Sequence, residues 1–167
     1  MAVSQLITPE NFINRYAITV AFNNGEAVIE EYIKLYEKPT VYKMLGYELT
    51  NLLYDDPTVP ELEKLLTEFA FEGKCGEGKY CSGLYDILTA MIYAKYQREQ
   101  ITLNTSIGQM RPKVEAGELA NDNYTNVFKL YNDAVKNSLL LQEYIELNKE
   151  LVYPTYKGTE FKTSWLI

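Results

Sequence analysis

The chain has 167 residues, 47% of them hydrophobic and 23% charged, which fits an ordinary globular protein and argues against a disordered one. Its 16 basic residues face 23 acidic ones, and the net charge of −7 disfavours general binding to phosphate backbones. Histidine is absent, so no Ser-His or Cys-His nucleophile pair and no imidazole-containing zinc site can form; acid–base work would fall to Asp, Glu, Lys, Tyr or Cys.

A chain of this length fits one domain, which buries about 70% of the surface that its unfolded form exposes. No run reaches the ~18 apolar residues of a membrane span. Met1–Gln5 carries no positive charge and no apolar run of signal-peptide length. The expectation is a protein made and used inside a cell, with Cys75 and Cys81 as unpaired thiols. A disulfide closing the loop between them stays open as an alternative. The acidic excess lies in residues 1–72, with 12 Asp/Glu against 5 Lys/Arg; the remainder holds 11 of each. Such a bias reads as a solvated helix face, or as an electronegative surface turned toward a basic partner or toward DNA that must pass without sticking.

In chain order, Thr8-Pro9-Glu10 predicts a helix start, with Phe12, Ile13 and Tyr16 on one face. Ala17–Phe22 suits helix or strand, and Asn23-Asn24-Gly25 breaks the chain. Val28, Ile29, Tyr32, Ile33 and Tyr36 then form a helical stripe opposite Glu30, Glu31 and Lys34. Pro39 should end or bend that helix. A second stripe runs through Val41, Leu45, Leu49, Leu52 and Leu53, with Gly46 marking close contact or a bend. Pro60 opens a helix bearing Leu62, Leu65, Leu66 and Phe69 that ends near Gly73. Glycines at 73, 76, 78 and 83 predict a flexible loop.

Ser82 is placed to cap the strongest helix, with Leu84, Ile87, Leu88, Met91, Ile92 and Tyr96, and its broad apolar face puts it at the centre of the fold. Leu103–Gly117 reads as a projecting loop. Asn121 or Asp122 can cap a final helix of ~28 residues, about 42 Å long. Beyond it, Val152–Tyr156 and Thr159–Trp165 suit a small hairpin, or residues 151–167 form an extended arm. The fold class is therefore all-α: a helical bundle with a long C-terminal helix and an extended or hairpin C-terminal arm. Residues 1–150 form the helical domain and 151–167 the arm.

Three patterns suggest chemistry. Gly73-Lys-Cys-Gly-Glu-Gly78-Lys79 has the glycine and lysine spacing of a phosphate-binding loop, but Tyr80 stands where Ser or Thr must hold magnesium, and a helix precedes it where a strand is needed. Cys75 and Cys81 are too far apart for a usual metal pair. The acids Glu30 and Glu31, adjacent on a helix, point about 100° apart and do not converge on one substrate, and the pair Asp55-Asp56 lies in a turn. No catalytic, cofactor or metal residue is assigned. The 15 tyrosines combine an apolar body with a polar tip, which suits surfaces that are wet alone and buried on assembly. Those of the terminal arm, outside the periodic helices, either fold onto their own bundle or dock on a neighbouring subunit.

Three blocks carry a resemblance: Ile29-Glu-Glu-Tyr-Ile-Lys-Leu-Tyr-Glu37 leading into Met44-Leu-Gly-Tyr-Glu-Leu49; Gly83-Leu-Tyr-Asp-Ile-Leu-Thr-Ala-Met-Ile-Tyr-Ala-Lys-Tyr96; and Thr105-Ser-Ile-Gly108 ahead of the long helix. Over residues 8–150 the chain resembles the helical head–tail connector, or neck adaptor, proteins of tailed bacteriophages, above all those of crAss-like phages. The resemblance implies a structural virion protein, assembled in the host cytoplasm into a ring of about twelve copies. That ring would join a portal protein to tail or neck proteins and let DNA through, without catalysis, cofactor, membrane or sequence-specific nucleic-acid contact. By analogy, the loop at 104–113 and the arm make the partner contacts, through Gln109, Arg111, Lys113, Tyr153, Tyr156, Phe161 and Trp165. Deleting residues 151–167 is then expected to leave the helices folded but to weaken assembly. A soluble helical adaptor that binds one partner is the alternative.

Overall fold

The computed structural model describes residues 4–18, 25–100, 103–105, 108–110 and 119–159. The predicted start at Thr8-Pro9-Glu10 is realised as a single 3-10 turn, Pro9–Asn11, in which Asn11 Oδ1 accepts the Thr8 N–H at 2.7 Å. A second 3-10 turn follows at Asn14–Tyr16. Phe12 and Tyr16 are buried, whereas Ile13, placed on the same face by the sequence reading, is 59% exposed. Of Ala17–Phe22, residues 19–22 lie outside the described residues.

The first long helix, α1, spans Gly25–Leu45 and contains Pro39 without ending there. The carbonyl that Pro39 leaves without its helical partner belongs to Leu35, which is exposed, as is Pro39, so the proline costs the helix little there. The break comes at Gly46 instead. Its φ of +80° suits glycine, and a Cβ there would lie 2.8 Å from the Lys157 carbonyl carbon, so the predicted close contact and bend both occur at this residue. Helix α2 (Tyr47–Asp55) and helix α3 (Pro60–Leu66) follow.

Helix α3 stops earlier than expected. Phe69 is not its last apolar residue but the first of strand β1 (Phe69–Glu72), which pairs antiparallel with β2 (Gly78–Cys81) in the register Phe69↔Cys81. Of the loop predicted across 73–83, only residues 73–77 form a turn, closed by the Gly73 N–H donating to the Glu77 carbonyl at 2.8 Å; residues 78–81 are strand and Gly83 opens the next helix. Phe69 and Phe71 alternate onto one face and pack on Tyr144, with ring centroids 4.7 and 5.4 Å away.

Helix α4 (Gly83–Gln100) is the hub, packing against α1, α3 and α5 (Leu119–Leu147). It buries Leu84, Ile87, Leu88, Met91 and Ile92, each contributing about 1.5–3 kcal/mol of apolar burial. Ser82 does not cap it: its hydroxyl is buried with no partner among the described residues. Gly83 starts the helix with φ +80°, pressed so close to Thr67 that a Cβ would lie 2.4 Å from its carbonyl group. Gly83→Ala should therefore lower stability by about 2–3 kcal/mol, read as a fall in the urea midpoint at unchanged slope.

Helix α5 has 29 residues, close to the expected length, although Asn121 and Asp122 lie inside it and not at its cap. It runs antiparallel to α4: the Ser82 N–H donates to Asn137 Oδ1 at 3.1 Å, while Tyr93 and Gln97 face Asn126 and Leu130. Between α4 and α5, the expected projecting loop contains a second hairpin, β3 (Leu103–Thr105) with β4 (Gly108–Met110). The chain is thus mostly helical, and the all-α reading is corrected by two antiparallel hairpins.

Candidate interaction surface

Of the residues expected to meet partners, Gln109 sits in β4 opposite Asn104. Arg111, Lys113, Phe161 and Trp165 lie outside the described residues. Tyr153 and Tyr156 do not project: they are 1% and 7% exposed and belong to the chain's own core. The Tyr153 hydroxyl donates to the Glu61 carbonyl at 2.8 Å, and its ring lies 6.2 Å from Tyr144. Their assignment as partner contacts is corrected; for residues 151–159 the arm folds onto its own bundle. The expected strand Val152–Tyr156 is a series of turns.

The reason is an unmet need at the end of α1. The last carbonyls of a helix lack partners within it. Here the Thr159 N–H donates to the Lys43 carbonyl at 2.9 Å, and the Lys157 N–H to that of Leu45 at 3.5 Å. Gln142 Nε2 donates to both the Met44 and Thr159 carbonyls, at 2.9 and 3.0 Å.

The N-terminal segment is held by two carboxylates that the sequence reading did not single out. Glu37, 2% exposed, accepts the backbone N–H groups of Leu6 and Ile7, both at 2.9 Å, and the Tyr54 hydroxyl at 2.6 Å. Asp86 takes Arg15 Nη2 at 2.7 and 2.9 Å on its two oxygens, and the Tyr16 hydroxyl at 2.9 Å. Asp86 and burial together shift these partners: its hydrogen bond raises the Arg15 pKa, and burial, followed by that hydrogen bond, raises Tyr16.

Beside Asp86 a cleft of about 650 Å³ opens between the N-terminal segment, β2 and α5. A second of about 570 Å³ continues along α4 and α5. Further along α5, Lys79 binds both oxygens of Glu143 at 2.7 Å and Glu77 at 2.7 Å, tying the first hairpin down and raising the Lys79 pKa.

The chemistry of these groups is that of fixed donors and acceptors. Burial pushes the Tyr16, Tyr32, Tyr54 and Tyr153 hydroxyls above the usual phenol range, so they stay protonated at neutral pH and donate. Tyr32 and Tyr36 both donate to Glu99, clamping α1 to the end of α4. Cys81 is buried with its thiol pushed up, Cys75 is exposed, and both are free. The glycine-lysine run at 73–79 links two strands and not a strand to a helix, so the phosphate-loop geometry is absent. Among the described residues no cluster of acids and thiols could hold a metal ion, and no helix is long and apolar enough to cross a membrane. No protein-family model, curated protein or solved structure matches the chain.

Proposed function

We propose that this chain is a structural subunit of the head–tail junction of a tailed bacteriophage. Copies of it close into a ring against a portal protein, hold tail or neck proteins, and leave a path for DNA. The reading gives the chain no catalytic role and no cofactor.

The supporting observation is the connection between α4 and α5. An antiparallel helix pair needs about 2–5 residues to turn round. Here the connection occupies residues 101–118 and includes the β3–β4 hairpin, which pairs with itself. Pairing β3 with β4 fixes backbone at a cost in conformational entropy that joining the helices does not require. A reach toward a neighbouring subunit accounts for it. Gln109 lies on this excursion, with Arg111 and Lys113 just beyond β4. The exposed acids of α1 to α3, among them Glu30, Glu31, Glu61 and Glu63, fit a surface past which DNA slides.

Replacing residues 101–118 by a short glycine–serine turn should preserve the far-ultraviolet spectrum and melting temperature while weakening assembly by more than about tenfold, or 1.4 kcal/mol. Light scattering and electron microscopy with a candidate portal protein read the result. An unaltered chain that stays monomeric and leaves portal unbound would sink the proposal. The clefts beside α5 are also compatible with the second reading, an adaptor, which would give a one-to-one complex and no ring.

A further inference from the structure

The two clefts beside α5 share Arg15, Leu130 and Asp133 and so form one groove. Leu130 and Leu140 line it half-buried, and Tyr80 is 57% exposed at its side. Its charges are largely paired, Arg15 with Asp86 and Lys136 with Asp133, so a strongly charged ligand finds little to hold. The buried Ser82 hydroxyl, on a residue lining the groove, lacks a partner among the described residues. Along the helix, Leu130 and Leu140 stand about 15 Å apart.

Residues 160–167 read Glu-Phe-Lys-Thr-Ser-Trp-Leu-Ile. In an extended chain, Phe161 and Trp165 fall on the same face, about 13 Å apart. That matches the spacing of the two leucines.

The geometry of exit decides whose groove is in reach. Thr159 is held by Gln142 and Lys43. At 100° per residue, Gln142 lies about 160° around α5 from the centre of the row Leu130, Asp133, Asn137 and Leu140. Phe161, two residues past Thr159, extends about 7 Å. That falls short of the helix width of about 10–12 Å lying between.

We propose that residues 160–167 of one copy dock in the α5 groove of the next copy, with Phe161 and Trp165 seated beside Leu130 and Leu140. The contact joins two different patches, and such head-to-tail contacts generate rings. The proposal rests on the ring reading above and names the device that joins the copies.

Trp165 is the only tryptophan, so its fluorescence reports the contact. In the full chain its emission should shift to shorter wavelength as rising concentration drives assembly. Trp165→Ala and Leu130→Glu should each stay monomeric alone by sedimentation velocity. Mixed one to one they should give a dimer, the intact groove of the first taking the intact tail of the second. Tyr80→Ala, on an exposed strand residue, should weaken assembly at unchanged melting temperature and serves if Leu130→Glu does not fold.

Three results overturn the contact while sparing the ring reading: rings that persist in Trp165→Ala, a mixture of folded variants that stays monomeric, or a short-wavelength emission unaffected by dilution. An unaltered chain that never assembles, with or without portal protein, overturns both.

Discussion

Truncation after Glu150 should abolish stable folding, whereas truncation after Thr159 should leave the bundle intact. The first cut removes Tyr153 and Tyr156, both buried against the bundle. Truncating one buried aromatic costs about 3–5 kcal/mol, and total stability is about 5–15 kcal/mol. The cut also strips the N–H groups that reach the Lys43 and Leu45 carbonyls, and leaves Gln142 bonded to Met44 alone. The Glu61 carbonyl loses the Tyr153 hydroxyl as well. The melting temperature should fall by about 15 °C or more in circular dichroism, if a transition survives at all. Truncation after Thr159 keeps every one of these contacts and should shift it little. Equal melting of the two truncated chains would show that residues 151–159 add nothing to the core. This outcome reverses the expectation that the arm is dispensable to the helices, and it separates a folding role for 151–159 from an assembly role for 160–167.

The parts of the fold that were legible in the sequence are those built from local periodicity. Ile29, Ile33, Val41 and Leu45 recur at helical spacing, and so do Leu84, Ile87, Leu88, Met91 and Ile92; both sets are buried as expected. The first hairpin was hidden because its alternation, Phe69-Ala70-Phe71, is only three residues long and follows the leucines of α3 without a break. The burial of Tyr153 and Tyr156 was hidden for a different reason. The hydroxyl of Tyr153 meets the Glu61 carbonyl 92 residues away, and no spacing rule reaches that far. The Asp86 anchor is equally non-local, since Arg15 and Tyr16 meet it across the fold. The groove escaped notice because its walls come from the N-terminal segment, β2, α4 and α5 together.

One anchor did leave a signal. Glu37 occupies the row Ile29, Ile33, Val41, Leu45 at four-residue steps, an acid where the pattern demands an apolar side chain. An acid in such a place is stable only if donors converge on it, and three do. Glu37→Ala should therefore cost about 3 kcal/mol, with two effects competing to set the figure. Leaving the Leu6 and Ile7 N–H groups and the Tyr54 hydroxyl buried and unpaired would cost about 1–3 kcal/mol each. The N-terminal segment can avoid most of that by lifting into water, and then it forfeits the burial of Ile7, which is fully enclosed, at about 1.5–3 kcal/mol. Lifting is the cheaper course and caps the loss. Tyr54→Phe removes one donor without freeing the segment and should cost only about 1 kcal/mol. Hydrogen exchange distinguishes the two effects: in Glu37→Ala the Leu6 and Ile7 amides should lose protection while those of α4 keep theirs. A urea midpoint within about 0.5 kcal/mol of the unaltered chain, with both amides still protected, would mean that apolar packing alone fastens the segment and that the carboxylate is incidental.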